Sequence, residues 1–540
     1  MWAAFGRDEL PENRGGHRVV RTRTVRPVLV LAVLCLSLLV VTTQISILNV
    51  ALPSLILHLG ATETQLQWII NAYTVAFAGV LLTGAALADR FGRRGVMVGG
   101  LLLCGAGSLA AALSSAPEQL IVWRTVMGIG GALVMPATLS ILVNVFTEPR
   151  PRSRAIATWT LMHATGSFIG PLGGGLLLEW WSWSACFYVS IPLAVLAVVG
   201  SLLWVPTSRD PAAASFDMLG AALSTGTLAL LIWGVIEGAE RGWTSPPIVG
   251  SFVLALVLGV AFVRWERRTS SPMLDLSVLR VPALRASSIS LVIAFVAMSS
   301  AMYLSMLSLQ LGKGYSALAA AAVTAIPITL VNFLVVPFAP RLIARFGTRV
   351  LVSAGVGTIA VSSLVIATMT ATSGVVPLLI GFALMAAAFS IYTPASTEAI
   401  VTSVPPESSG GASALTQLTR QIGQSLGVAL GGGIAAMGFR AQFDPSDFEL
   451  DPADRKLAGS SFTGALEVVE RVDAAVREAF LLAARQSFVV GVRYMLVVCA
   501  VLAVIGAIYA AVAIPGRNRP ADETGDETDP VGGETVAEPR

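Results

Sequence analysis

Four long polar side chains, Gln417, Arg420, Gln421 and Gln424, stand at i, i+3, i+4 and i+7 of an apolar stretch, "ALTQLTRQIGQSLG". That spacing puts them on one stripe of a helix whose other faces are apolar. Such a stripe can bind a ligand through hydrogen bonds and one fixed positive charge. Glu398 lies in the preceding apolar stretch, about 10 Å of helix from Pro405, while Arg420 lies about 14 Å from its own end. Similar depth permits an ion pair between them; two unrelated interfacial charges are the other reading. Arg124 lies about 10 Å past Pro117, where its stretch begins. An arginine that deep in hydrocarbon is costly unless it faces a cavity or snorkels. His163 precedes a glycine series, and an unperturbed imidazole titrates at about 6.5.

The run "VTTQISILNVALP" adds hydrogen-bonding groups without charge. Thr42, Ser46 and Asn49 share one helical face, and Gln44 points nearly the other way. The expectation is that the first three bond a neighbouring helix while Gln44 faces a central cavity. A glutamine binds, but it carries no proton at neutral pH. The sequence offers no nucleophile–base set, no metal-ligand spacing and no phosphate loop, which argues against an enzyme. Cys35, Cys104, Cys186 and Cys499 are scattered and read as small core residues.

These groups must be positioned by membrane helices. Of the 540 residues 55% are hydrophobic and 12% charged, and mean hydropathy is +0.77. A soluble chain has about 25% charged residues, so too little charge remains to cover a water-facing surface. Apolar windows long enough to cross a hydrocarbon core of about 30 Å recur about fourteen times. Arginines cluster in alternate connections: Arg90, Arg93 and Arg94; Arg150, Arg152 and Arg154; Arg264, Arg267 and Arg268; Arg341, Arg345 and Arg349. Positive loops face the cytoplasm, so both termini are expected inside, and the basic residues imply no nucleic acid. One long outer segment, 438–488, carries Phe462, Leu466, Val469, Val472, Val476 and Phe480 at helical spacing, which predicts an amphipathic helix capping the outer mouth. The acidic tail 515–540 reads as disordered.

"LADRFGRR" and "LIARFGTR" share Leu, Arg, Phe, Gly and Arg in register, 255 residues apart. Parallel repeats of this kind build one large class of secondary transporters. The chain resembles the major facilitator superfamily, and within it the fourteen-span drug:proton antiporters. The inner loop "GAALADRFGRR" is similar to the superfamily's signature between its second and third spans, with Ala85 where glycine is usual. "RTVMGIGGALVMP" resembles the fourth-span arginine motif, "GSFIGPLGGG" the fifth-span antiporter motif, and "ILNVALP", with Asn49 and Pro53, the first-span signature. Gln44 stands where the fourteen-span antiporters usually carry aspartate.

The resemblance implies an all-α membrane protein of the major facilitator fold. It would have about 14 transmembrane helices, two six-helix bundles plus two extra ones. The expected division is a basic tail 1–26, a first bundle 27–204, the extra pair 205–285, a second bundle 286–514 and the tail 515–540. It further implies a gate latch at Asp89, Arg90, Gly92, Arg93 and Arg94, repeated at Arg345, Gly347 and Arg349. A hinge is implied at Gly166, Gly170, Pro171, Gly174 and Gly175, where glycines four apart allow close helix approach and proline removes a backbone bond. Gln44, Arg124, His163, Glu398 and the stripe would form the substrate and proton path. The expected activity is export of lipophilic or amphipathic small molecules across the cytoplasmic membrane by alternating access. Protons would be the counter-ion; no cofactor is needed, and the chain would work as a monomer. A same-fold carrier for a lipid or metabolite, an uptake carrier and a transport-dead sensor are the alternatives.

Overall fold

The computed structural model describes residues 26–209, 217–269, 281–370, 372–402 and 409–514, and no strand occurs among them. Nearly all of the basic tail, the acidic tail 515–540 and parts of the linkers at 210–216 and 270–280 lie outside the described residues, with the expectations placed on them.

Proline sets many of the helix starts. It stands in the first turn of α1 (Pro27–Ser46), α5 (Pro117–Val145), α6 (Pro149–Trp180), α10 (Pro246–Glu266) and α11 (Pro282–Leu307), where its missing N–H has no helical partner to lose. α1 continues into α2 (Leu48–Leu59), which contains Pro53. α3 (Glu63–Phe91) opens with a reciprocal cap: Thr62 accepts from the Gln65 N–H, and the Gln65 side chain accepts from the Thr62 N–H. α4 (Arg93–Ala112) follows at once, and α7 (Ala185–Tyr188) leads into α8 (Ser190–Trp204). Asp217 caps α9 (Met218–Arg241) through the Gly220 N–H at 2.8 Å, and also accepts from the Trp265 indole of α10. The chain closes with α12 (Ala317–Val335), α13 (Ala339–Ala367), α14 (Val376–Thr402), α15 (Ser409–Gln442), the short α16 (Pro452–Ser460) and α17 (Phe462–Val468), and α18 (Arg477–Ala513).

Among the described residues twelve helices are long and apolar enough to cross a membrane, or thirteen if the bent α3 counts as one span. The segment Ala317–Ala367, 51 residues long, is over twice the length of one crossing of about 20 residues. It breaks at Gly347, whose φ is 79°. The helices are therefore compatible with the expected fourteen.

α1 packs on α6, α8 and α5, α3 on α5, and α4 on α5 and α8. α11 packs on α15 and α18, α13 on α14 and α18, and α12 on α14. The two groups meet along α3 and α15, and along α6 and α12. α9 stands where they join: Leu228, Ile232, Val235 and Ile236 form one buried cluster with Val75 and Ala78 of α3 and Ala429 of α15. α10 covers α9 and turns Val253, Leu256, Val257 and Val260 outward, an apolar face suited to lipid.

Successive spans alternate in direction, so the arginine-rich connections gather at one end, here the arginine end. The connection between α15 and α18 marks the other, the loop end. That connection does not form the single amphipathic helix expected from 462 onward. α17 stops at Val468, a 3-10 turn covers Val469–Arg471, and α18 begins only at Arg477. Asp473 accepts from the Ala475 N–H at 3.0 Å, a side-chain-to-backbone bond that competes with helix. The apolar residues are used all the same. Phe462 stacks on Phe488 with ring centroids 4.5 Å apart, and Phe480 meets Phe443 at 5.4 Å, pinning the connection to α15 and α18.

Candidate transport pathway

Arg124 does not snorkel. Its side chain is 1% exposed; Nε donates to the Ile69 carbonyl and one Nη to the Gln44 carbonyl, each at 3.0 Å. The guanidinium lies 4.4 Å from the Tyr73 ring centroid, and the Tyr73 hydroxyl reaches the Val41 carbonyl. One buried cation thus ties α1, α3 and α5 together through backbone carbonyls and a π face. Gln44 shares this knot. Its Nε2 donates to Ser108 Oγ of α4 at 3.1 Å, so the side chain turns into the first group of helices and not toward a central cavity. Ser108 gives the buried amide nitrogen a partner, while Oε1 is buried without one.

On the opposite face of α1 the expected bond to a neighbouring helix is made by Ser46 and not by Thr42, whose hydroxyl donates to the Leu38 carbonyl of its own helix at 3.0 Å. Ser46 Oγ donates to the Gly166 carbonyl of α6 at 3.2 Å. A side chain at Gly166 would strike Thr42, and one at Gly170 would strike Ser46. The glycine series therefore lets α6 lie against α1, while Gly174 faces Ile47 and Gly175 meets the backbone of Leu318 on α12. Asn49 is half-buried on α2, and its carbonyl is the one that Pro53 leaves without an N–H.

The stripe on α15 lies at the seam between the two groups. Gln417 Nε2 approaches Met135 Sδ of α5 at 3.7 Å. Gln421 is buried and Gln424 half-buried. Arg420 stands over the Phe295 ring at 5.8 Å, and its Nε is buried without a hydrogen-bond partner. His163 of α6 and Tyr392 of α14 both lie within its electrostatic reach. The expected Glu398–Arg420 ion pair is not formed: the four ion pairs among the described residues do not include it. Glu398 is exposed on α14, so similar depth along two helices did not bring it onto the face that Arg420 presents.

At the arginine end the two copies of the repeated loop share their geometry. Gly92 has φ 107° and Gly347 φ 79°, a left-handed conformation that favours glycine. In each copy the preceding arginine lies over the adjacent phenylalanine, Arg90 on Phe91 at 5.7 Å and Arg345 on Phe346 at 5.4 Å. In the first copy Asp89 pairs with Arg93 at 2.8 Å. The Arg93 N–H donates to the Ser208 carbonyl and Arg94 to the Val205 carbonyl. This loop therefore grips the linker after α8. In the second copy Arg349 is exposed.

The loop end is closed. Gln310, just past α11, donates to the Val50 carbonyl of α2 at 3.0 Å, and Gln67 of α3 lies against Gly432 of α15. Beside this contact lies a set of residues the sequence reading missed. Glu63, Gln67 and Asn71 follow one another at i, i+4 and i+8 on α3 and are 9%, 3% and 0% exposed. Gln67 Oε1, both amide atoms of Asn71 and the hydroxyl of Tyr303 on α11 are buried without partners. Tyr303 lies within electrostatic reach of Glu63. The same helical periodicity that exposed the α15 stripe runs through "ETQLQWIINAY".

Two groups of membrane helices, joined at one end and carrying polar side chains at their seam, define a membrane carrier. The profile of the Major Facilitator Superfamily matches residues 34–428, and the chain belongs to that superfamily: it is a multi-pass secondary transporter. It is 32% identical over 499 residues to the multidrug efflux pump LfrA of Mycolicibacterium smegmatis, covering 91% of this chain and 97% of LfrA. It is also 32% identical to the cephamycin export protein CmcT of Amycolatopsis lactamdurans, covering 76% of this chain and 85% of that one. Among solved structures, the POT family transporter PepTSo superposes with a TM-score of 0.63 over 90% of this chain and 97% of its own, at 14% identity, a likeness of fold alone.

Proposed function

We propose that this carrier exports lipophilic or amphipathic small molecules across the cytoplasmic membrane by alternating access, with the arginine end and both termini in the cytoplasm. The observation that carries the reading is the polar seam at mid-depth, where His163, Gln417 and Arg420 lie between the two groups of helices while the loop end is shut. A conformation closed at one end, with unsatisfied polar groups behind the closure, is what a carrier needs before it opens the other way. Likeness to LfrA and CmcT over most of their lengths supports export and small organic substrates. The arginine-rich connections at one end support the orientation.

Protons are the proposed counter-ion, and the monomer the proposed working unit. With Gln44 turned onto Ser108, the ionisable groups available to a proton path are His163 at the seam, Glu398 toward the arginine end and Glu63 at the loop end. The test is accumulation of a fluorescent lipophilic dye in a pump-deficient host. Expression of the chain should lower accumulation, and an uncoupler should restore it. Equal accumulation with and without the chain would refute export; lowered accumulation that survives the uncoupler would refute proton drive.

A further inference from the structure

Against the closed loop end lies a chamber of about 790 Å³, within the range that holds small organic ligands, about 300–1,000 Å³. Its walls come from α2, α3, α9, α15, α16 and α17, and it is separate from the stripe on α15. Three carboxylates line it, each from a different element: Glu63 of α3, Glu240 of α9 and Glu467 of α17. None of the three belongs to an ion pair among the described residues.

The one cation in the wall, Arg440, lies within electrostatic reach of Glu63. Its guanidinium donates to the Ala239 carbonyl at 2.6 Å and reaches the Ser460 carbonyl at 3.5 Å. Thr64 donates to Glu240 at 2.7 Å, and the backbone N–H groups of Phe462 and Thr463 face the Glu63 carboxylate. Three acids against one arginine leave the chamber negative. Ile236, Leu457 and Leu466 supply apolar wall. At the inner edge Gln67, 3% exposed, presents a buried Oε1 that no donor in the protein satisfies. That atom faces away from the open space, and Gln67 seals the chamber against Gly432 of α15.

We propose that this chamber is a second binding site, for an amphipathic organic cation whose apolar body fills it and whose charge is shared by Glu63, Glu240 and Glu467. An inorganic cation would satisfy the charge but leave the apolar wall unused, and a neutral hydrophobe would leave Glu63 and Glu240 repelling one another. The bound cation joins the connection at the loop end to α3 and α9 and so holds that end closed. The site stands whether or not the chain proves to be an exporter.

The probe is radiolabelled tetraphenylphosphonium, with uncharged triphenylphosphine oxide as the control, on the purified full-length chain. Replacing all three acids (Glu63→Gln, Glu240→Gln, Glu467→Gln) should weaken phosphonium binding by at least about tenfold, on the scale of losing charged partners, and leave binding of the oxide unchanged. Location is tested separately in the otherwise native chain. Cys35, Cys104, Cys186 and Cys499 are all buried, so a membrane-impermeant maleimide should react at the exposed, chamber-lining position of a Ser460→Cys variant. Phosphonium should slow that reaction several-fold, and the oxide should not. Equal affinity of the triple variant and the native chain for phosphonium overturns the proposal. So does the absence of protection at position 460, an outcome that does not depend on the triple variant folding.

Discussion

The amide of Gln67 on α3 occupies the space beside Gly432 on α15 that any side chain at 432 would need. The two residues lie 365 positions apart in sequence, on helices from opposite sides of the seam, and they close the loop end. Overpacking such a contact costs about 1–3 kcal/mol. Gly432→Val is therefore expected to disfavour the closed loop end by that order and slow export. Adding Gln67→Ala, which vacates the space, should recover much of the rate. Losses that simply add in the double variant would show that the contact does not govern closure.

Arg124 satisfies two carbonyls with a planar fork, and lysine offers a single compact charge. Arg124→Lys is expected to lower stability by about 1–3 kcal/mol, the cost of leaving a buried acceptor unpaired. The check is thermal unfolding of the purified chain. Tyr73→Phe keeps the ring under the cation and should cost less than Tyr73→Leu. A lysine variant as stable as the native chain would mean that the knot is not structural.

Asp89 and Arg93 form a partly exposed pair one turn apart, and such pairs contribute about 0.3–0.5 kcal/mol. Asp89→Asn should therefore leave expression and unfolding nearly unchanged. If the loop is a latch, transport should fall nonetheless, because the loop that grips the linker at Val205 and Ser208 loses its negative member. Native transport rates in this variant would leave the loop with only a topological role.

His163, not Glu398, shares the surroundings of Arg420. A double-mutant cycle on export rate should give coupling above about 0.5 kcal/mol for His163→Asn with Arg420→Gln. Glu398→Gln with Arg420→Gln should be nearly additive. Strong coupling of Glu398 and additivity of His163 would reverse the assignment and imply that the pair forms in another state of the cycle.

Much of this molecule is readable along the chain because the bilayer judges each segment locally. Length and hydropathy set the spans, and arginines collect in alternate connections. Proline in the first turn and glycine at positive φ mark breaks that need no distant partner. The glycine series of α6 and the face of Thr42 and Ser46 follow from helical periodicity, and the structure sets them against each other. The equivalence of Gly92 and Gly347 follows from a repeat in the letters alone.

Only tertiary structure decided which way each polar face turned. Periodicity says that Gln44 opposes Ser46, but the helix's rotation is set by its neighbours, and Ser108 and Arg124 drew Gln44 inward. Depth placed Glu398 near the level of Arg420, yet an ion pair also needs facing helices, and α14 does not present Glu398 to Arg420. Glu63 looks like an ordinary acid in the first turn of a helix, a place where carboxylates are favoured by the backbone dipole. It is buried because the connection between α15 and α18 folds over it, a contact that spans some 400 residues of chain. Local sequence carries the free energy of insertion and of helix formation; the rotation and pairing of those helices depend on complementary surfaces that meet only when the whole chain has assembled.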